Sequence, residues 1–293
     1  MTRPAPRANL GREMFFDYEP VTSARVRERV DRLEIPFGDH GIDPYGIGKA
    51  ELGFGFSLIE ILYKYYFWVE SYGLEHIPPR GRVMLVGNHS GGVAVDGVMV
   101  MATCFFELEP PRLAQGMAEK FIVKVPGFGA LTTRMGQFPG LPEHAKRLLE
   151  DERMLMVFPE GARGTAKLAK DADSLVRFGT GFMRLALETR TPIVPFGFVG
   201  AGEAMPTIAN LYGLAKLLGV PYIPVTRYLL PVPKPTIFQL LFGAPLLFEG
   251  TGNESDEEIE EKVETVKQRI ASLVRQGRAL REKRMKPEEL DLG

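Results

Sequence analysis

The stretch that decides the fold runs from residue 83 to residue 97 and reads VMLVGNHSGGVAVDG. Its first four residues are apolar and predict a buried strand that delivers the chain into a glycine-rich turn. His89 lies in that turn, and an apolar run resumes directly after Asp96. The order strand, glycine turn, helix is typical of a layered α/β domain, in which ligands bind at the carboxyl ends of strands.

His89 and Asp96 are the candidate catalytic residues. Six residues separate them, so the carboxylate can fold back and hold one imidazole nitrogen, which leaves the other nitrogen free to accept a proton. Such a pair is a general base for a hydroxyl nucleophile. The glycines beside His89 let the backbone approach a ligand closely. The alternative is that Asp96 only caps the following helix, which we expect over residues 97–106.

Strands and helices alternate further along the chain. Apolar runs predict strands at 154–158 and 193–199, with a helix at 180–189 between them. Glu160 follows the first of these strands as directly as His89 follows its own strand. Because the carboxyl ends of parallel strands share one sheet edge, we expect both residues at that edge.

The chain divides into three expected segments. Residues 1–50 form a leader with one short helix at 22–33, and residues 51–250 form the main domain. Residues 251–293 contain an amphipathic helix, because Ser255 begins a capping-box pattern and apolar residues recur on one stripe.

Composition limits the class of protein. The chain has 293 residues, of which 45% are hydrophobic and 25% charged, so it can bury a substantial core. The formal net charge of −1 gives no argument for a nucleic-acid partner. The single cysteine, Cys104, cannot form an internal disulfide, and no Cys/His cluster predicts a metal site. The first twelve residues lack the apolar core of a secretory signal, so we expect a cytoplasmic protein.

Two segments bear on membranes. Nothing in the sequence offers the roughly 20 clean apolar residues of a spanning helix. Residues 52–69, LGFGFSLIEILYKYYFWV, predict an aromatic amphipathic helix that lies either on a membrane surface or on the core. Residues 204–233 are rich in Leu, Ile, Val, Tyr and Pro, and could line an apolar groove, bind the bilayer or pack the core.

Two further loops carry candidate binding residues. VFPEGARG, residues 157–164, places Glu160 and Arg163 in a glycine turn after a strand. The second loop places Arg134 before a Met-Gly turn. Arg134 and Arg163 together could bind a phosphate or carboxylate through their planar guanidinium groups. The alternatives are that Glu160 pairs locally with Arg163, and that each arginine is an ordinary surface charge.

Four blocks in this order resemble the glycerolipid acyltransferases, which include the phospholipid/glycerol acyltransferase superfamily. The blocks are GNHSGGVAVDG (87–97), TTRMGQFPG (132–140), FPEGARG (158–164) and IVPFGFVGAGE (193–203). The resemblance covers roughly residues 72–248. The usual family spacing places four residues between the histidine and the aspartate, and the spacing of six here is similar to that of the monoacylglycerol and diacylglycerol acyltransferase-like branch.

The resemblance implies a single layered α/β domain with a mixed, mostly parallel central sheet flanked by helices. By this resemblance His89 and Asp96 are catalytic. Arg134 is associated with the polar head of the acceptor, and Glu160, Gly161 and Arg163 form the block that shapes the acceptor site.

The activity implied is O-acyl transfer from acyl-CoA or acyl-carrier protein to a hydroxyl of a glycerolipid or lysophospholipid. No cofactor or metal is implied, and the acyl thioester is a co-substrate. The expected partners are a lipid acceptor, the acyl donor and the cytoplasmic face of a membrane, with acyl-carrier protein as one possible donor carrier. Backbone N–H groups of the glycine turn are candidates for an oxyanion site. Two alternatives are a non-catalytic lipid-binding protein of the same fold and an acyl ester or thioester hydrolase.

Overall fold

The computed structural model describes residues 21–90, 95–118, 128–229 and 232–293. Its main feature is a seven-stranded sheet, and a separate two-stranded ribbon lies apart from it. The strands are β1 (Phe67–Tyr72), β2 (Val83–Gly87), β3 (Gln115–Ala118), β4 (Gln137–Pro139), β5 (Met154–Val157), β6 (Ile193–Val199), β7 (Thr207–Asn210), β8 (Pro224–Thr226) and β9 (Thr236–Phe242). The helices are α1 (Ala24–Asp31), α2 (Lys49–Ile61), α3 (Val95–Glu107), α4 (Phe128–Arg134), α5 (Pro142–Glu150), α6 (Ala162–Thr165), α7 (Gly181–Thr189), α8 (Ala201–Ala204), α9 (Tyr212–Leu218) and α10 (Asp256–Arg281).

The large sheet is mixed and mostly parallel. Its strand order is β1-β9-β6-β2-β5-β3-β4, and every neighbouring pair is parallel except β6 and β9. Strands β7 and β8 form the separate antiparallel ribbon. The expected α/β domain with a mixed, mostly parallel sheet flanked by helices is therefore confirmed.

The central strands are buried on both faces, which explains their unbroken apolar sequences. All four residues from Val83 to Val86 are 0% exposed. Every residue of β6 is buried as well, and this strand has the bounds that its apolar run predicts. The other predicted strand is β5, and the predicted central helices are α3 and α7, each within two residues of its expected bounds.

The C-terminal helix α10 packs across β6 and β9. Its buried stripe includes Ile259, Val263, Val266 and Ile270, as the helical spacing predicts. The Ser255 hydroxyl accepts a hydrogen bond of 3.2 Å from the backbone N–H of Glu258, so the predicted N-terminal cap is confirmed.

The aromatic segment differs from its prediction. Helix α2 ends at Ile61, a π-helical turn follows over Leu62–Tyr66, and β1 begins at Phe67. The prediction of one helix over 52–69 is therefore wrong for its last residues. The reason is tertiary: Phe67 and the residues after it pair in parallel register with β9, and aromatic and β-branched residues suit a strand.

The carboxyl edge of the sheet gathers the residues of interest. The chain leaves β2 into Asn88 and His89, and leaves the neighbouring strand β5 through Phe158 into Glu160. The prediction that His89 and Glu160 share this edge is confirmed. Within the described parts of the chain, we find no helix with the length and apolar character needed to cross a membrane.

Candidate active site

Asp96 folds back onto His89. Its Oδ2 atom lies 2.9 Å from Nδ1 of the imidazole and also accepts the backbone N–H of Ser90 at 2.8 Å. Its Oδ1 atom accepts the N–H of Gly97 at 2.8 Å. The contact expected from the spacing is therefore present. Asp96 lies in the first turn of α3, which begins one residue earlier than Asp96 itself.

The carboxyl group of Asp96 stays ionised. Burial raises its pKa, but the charge and hydrogen bond of His89 and the two backbone N–H groups outweigh burial, so the pKa falls below its ordinary value. An ionised carboxylate only accepts hydrogen bonds, so the proton of the neutral imidazole lies on Nδ1. Among the described residues, Nε2 has no hydrogen-bond partner, and it is the nitrogen available to accept a proton.

The ring of Phe158 fixes the plane of the imidazole. The two rings stack with centroids 3.9 Å apart and an interplanar angle of 9°. Because the stack restricts tilting and the Asp96 contact restricts rotation, the direction of Nε2 is set before any ligand binds.

Asn88 ties the histidine turn to β6. Its side-chain amide donates to the carbonyl of Phe198 at 2.9 Å and accepts the N–H of Phe198 at 2.8 Å. The buried hydroxyl of Ser90 donates to the same carbonyl at 3.3 Å. Ser90 is only 1% exposed, so its hydroxyl serves the fold and is not presented to a substrate.

A buried ion pair lies beneath His89. The carboxylate of Glu160 is 2.7 Å from the ammonium of Lys167, and both side chains are almost fully buried. Glu160 also accepts the N–H of His89 at 3.0 Å and the N–H of Val176 at 3.0 Å. Lys167 donates to the carbonyl of His89 at 2.6 Å. The pair therefore holds both backbone polar groups of His89.

Lys167 was not singled out by the sequence. Burial lowers the pKa of its ammonium, and the nearby Glu160 carboxylate acts in the opposite direction. A lysine in a loop reads as a surface charge in any sequence, since its burial depends on how the loop folds. Only its position seven residues after Glu160 connects the two in sequence.

Two glycines shape the loop that carries Glu160. Gly161 has φ 56° and ψ −149°, a conformation that is essentially restricted to glycine. Gly164 approaches the histidine turn so closely that a Cβ atom there would lie 2.5 Å from the Cβ atom of His89. Gly164 is therefore a further residue of the site, and the sequence alone did not distinguish it from the other glycines of the turn.

The two predicted anion-binding arginines lie in different surroundings. Arg163 is exposed and donates to the carbonyl of Arg177 at 3.3 Å, so the expected alternative of a local pair with Glu160 is wrong. Arg134 donates to the carbonyl of Gly46 at 3.2 Å and lies 4.0 Å from the carboxylate of Glu51. None of the contacts described for Arg134 reaches His89 or Asp96. Gly91 and Gly92, which were expected to offer N–H groups to an oxyanion, lie outside the described residues.

A cavity lies on one face of the sheet. Its volume is ≈ 620 Å³, and it lies between α5 and α7, against residues of β3 and β5. Its apolar lining includes Met117, Leu141, Leu155, Val157, Phe182 and Leu185. Val157 directly precedes Phe158, whose ring stacks on His89, but neither Phe158 nor His89 lines the cavity. Of the described residues within 204–233, none lines it.

Comparison with known proteins identifies the family. The protein-family model described as Acyltransferase matches residues 68–199, which include the His89 turn and the Glu160 loop. Residues 68–199 therefore form a domain of the acyltransferase family, and the comparisons support the glycerolipid acyltransferase superfamily.

Individual relatives match part of the chain. An uncharacterized protein of Mycobacterium tuberculosis is 33% identical over 218 residues, which cover 71% of this chain and 61% of that protein. The human DGAT1/2-independent enzyme synthesizing storage lipids is 28% identical over 128 residues, which cover 43% of this chain and 38% of that enzyme. The chain spans about three fifths of the length of the mycobacterial relative.

A solved structure shares the fold. The crystal structure of the 1-acyl-sn-glycerophosphate (LPA) acyltransferase PlsC from Thermotoga maritima has a TM-score of 0.50 and 19% sequence identity. The match covers 77% of this chain and 82% of that one. At this identity the likeness concerns the fold.

Proposed function

We propose that this acyltransferase moves a fatty acyl group from an acyl thioester to a hydroxyl of a glycerolipid or lysophospholipid acceptor. The observation that carries the proposal is the His89–Asp96 pair at the carboxyl edge of the sheet: an ionised carboxylate holds Nδ1, and Nε2 has no partner among the described residues. That arrangement supports a general base at the sheet edge where α/β domains bind ligands.

The reaction follows from this geometry. His89 Nε2 takes the proton of the acceptor hydroxyl while the hydroxyl oxygen attacks the thioester carbonyl. The charge that appears on the imidazole is stabilised by the Asp96 carboxylate at 2.9 Å. The carbon–sulfur bond then breaks, and the leaving thiolate takes up the proton from His89. The products are an acyl ester and a free thiol, and the base is restored.

The remaining predicted residues serve binding in this proposal. Arg134 and Arg163 are cations for the anionic head of the acceptor or the phosphates of the donor, since guanidinium groups pair well with both. Glu160 and Gly161 act indirectly: the Glu160 carboxylate is used within the protein and orders the loop, and Gly161 provides its turn.

The cavity of ≈ 620 Å³ is our candidate for the acyl chain. Its volume falls in the range of roughly 300–1,000 Å³ that is usual for small-molecule sites, and its lining is mostly apolar. Its lining residue Val157 is the chain neighbour of Phe158, the residue that stacks on His89. Either acyl-CoA or acyl-carrier protein could present the chain.

We also propose that the protein works on the cytoplasmic face of a membrane. The support is the exposed apolar surface of the aromatic segment. Tyr65 is 73% exposed and Trp68 is 53% exposed, although side chains of this size are usually covered by the protein when they have no ligand.

An acceptor screen tests the proposed function. Purified protein is incubated with acyl-CoA or acyl-carrier-protein thioester, and the free thiol is measured with lysophospholipid, glycerol phosphate or monoacylglycerol, each with and without vesicles. We expect thiol release that depends on one acceptor class. His89→Ala should abolish it, and His40→Ala, a change of an exposed histidine in the leader loop, should leave it unchanged.

The alternatives give different outcomes in the same screen. A hydrolase would release thiol at the same rate without any acceptor. A non-catalytic lipid-binding protein would release none with any donor, and lipid binding would be indifferent to Asp96→Asn. Wild-type turnover in His89→Ala would exclude the proposed base.

A further inference from the structure

Residues 207–229, here called the α9 module, stand apart from the large sheet. The module consists of the β7–β8 ribbon with helix α9 between its strands. Several of its large apolar side chains are exposed, among them Leu217 (82%) and Tyr212 (60%). The other exposed apolar residues of the module are Ile208, Leu211, Leu214 and Leu229.

The exposed apolar side chains of α9 cover a wide part of the helix circumference. Among the helix residues whose side chains are described, only Ala215 is buried. Tyr212, Leu214 and Leu217 project in directions that span more than half of the helix circumference at 100° per residue. A lipid layer can cover all three of these side chains, whereas a protein partner usually covers one stripe of a surface helix.

The charged residues in the stretch of sequence that contains the module have one sign. Residues 204–248 contain Lys216, Arg227 and Lys234, and no aspartate or glutamate, although acidic and basic residues are nearly balanced over the whole chain, 37 against 36. All three cations are exposed. Basic residues beside exposed apolar side chains favour a surface that carries anionic lipid headgroups.

The module continues into the exposed aromatic segment. Trp68 of β1 and Ile237 of β9 are register partners on neighbouring parallel strands, so both side chains lie on one face, and both are exposed. The hydroxyl of Tyr66 donates to the carbonyl of Pro233 at 2.7 Å, which ties the chain returning from the module to this edge. The two apolar surfaces therefore meet along residues 232–237.

The β7 strand of the module is hydrogen-bonded to the loop of the candidate active site. The side-chain amide of Asn210 donates to the carbonyl of Ala166 at 2.7 Å. Ala166 directly precedes Lys167, which holds the carbonyl of His89. A surface bound by the module would therefore lie next to the loop that positions the base.

We propose that the α9 module inserts into the headgroup–acyl boundary of a bilayer that contains anionic lipid, and that the aromatic segment completes this docking face. Tyr212, Leu214 and Leu217 enter the apolar layer, and Lys216, Arg227 and Lys234 meet the headgroups. Membrane docking by this face does not depend on the proposed function. Only its consequence, that lipid substrates reach His89 from the membrane, rests on the proposed function.

Vesicle binding tests the proposal directly. The purified full chain is sedimented with vesicles of phosphatidylcholine alone or mixed with phosphatidylglycerol. We expect binding that is stronger with the anionic lipid and that falls roughly tenfold or more in the partition coefficient when Leu214 and Leu217 are both changed to Ser. Lys216→Glu should weaken binding to the anionic vesicles alone. Leu247→Ser is the matched control, because Leu247 is 72% exposed and lies near the amino end of β6.

The single tryptophan of the chain gives a second measurement. Trp68 is exposed, so its emission should shift to the blue when the docking face enters vesicles, and the double serine variant should lose most of that shift. Thermal unfolding of the double variant should match wild type, because both leucines are exposed. If the folded double variant binds vesicles as strongly as wild type, the proposal is overturned. It is also overturned if the wild-type protein self-associates through these leucines and does not bind vesicles.

Failure of the docking face and failure of the proposed function are distinguishable. His89→Ala should bind vesicles as wild type does and release no thiol. If wild type binds vesicles through α9 but turns over no donor, the docking face stands and the proposed function falls. If wild type turns over donor but the double serine variant binds vesicles as wild type does, the proposed function stands and the docking face falls.

Discussion

Replacement of Gly164 by alanine should displace the candidate base. The new Cβ atom would lie 2.5 Å from Cβ of His89 and 2.8 Å from Cβ of Glu160. Carbon atoms in contact prefer about 3.5–4.0 Å, so the two backbones must separate by at least about 1 Å. Neither neighbour can yield easily, because Cβ atoms move only with their backbone and the His89 backbone is held by Glu160 and Lys167.

The cost of this displacement can be estimated for both turnover and stability. A misplacement of 1 Å at a catalytic site costs roughly 10²-fold in rate, and overpacking of a dense site costs about 1–3 kcal/mol in the free energy of unfolding. We therefore expect kcat of Gly164→Ala to fall about 10²-fold while the protein remains folded.

The assay is thiol release on the preferred donor and acceptor, with chemical denaturation measured in parallel. Gly38→Ala is the matched control, since its new Cβ atom would meet only the carbonyl oxygen of Ile42 at an ordinary 3.5 Å. That variant should keep wild-type kcat. A folded Gly164→Ala protein with wild-type kcat would refute the reasoning that the close approach of Gly164 sets the position of His89.

Three further predictions concern stability. Lys167→Met leaves the buried carboxylate of Glu160 without its cation and should lower the free energy of unfolding by about 3–5 kcal/mol. The control Lys146→Met, at an exposed ion pair, should change the free energy of unfolding little. Equal denaturation midpoints for the two variants would contradict a structural role for the buried pair. Since the folded pKa of Asp96 lies below its ordinary value of 3.8, its ionised form stabilises the fold above that pH, and this stabilisation is lost as pH falls through the folded pKa. The difference in unfolding free energy between wild type and Asp96→Asn should therefore shrink from about pH 7 to about pH 3, and a constant difference would be evidence against the shift. Ser255→Ala removes the cap of α10 and should cost about 1 kcal/mol in thermal or chemical unfolding, while an unchanged midpoint would show that the cap contributes nothing.

The parts of the fold that the sequence predicts are those decided by local pattern. The apolar run 193–199 forms β6 with the expected bounds, and Ser255 caps α10 as its capping-box pattern indicates. The contact between His89 and Asp96 follows from their spacing around a glycine turn, because a short loop that leaves a strand returns its carboxylate to the same edge.

The parts that the sequence did not predict depend on distant contacts. Phe67 begins a strand only because β9, far along the chain, offers a parallel partner. Lys167 and Gly164 become functional candidates only when the folded loop places them against His89. Local sequence predicts neither the burial of a lysine nor the close approach of two backbones. For residues 204–233 the sequence allowed three roles, an apolar groove, bilayer binding or core packing, because apolar composition does not show which side chains are exposed to solvent.

The most direct test of the central claim is a mutant cycle on His89 and Asp96. Thiol release is measured for wild type, His89→Ala, Asp96→Asn and the double variant, each with its fold checked by circular dichroism. If the two residues act as one general base, each single change should lower kcat by roughly 10²–10⁴-fold, and the double variant should be no slower than His89→Ala. Losses that multiply in the double variant, or wild-type kcat in His89→Ala, would contradict the account.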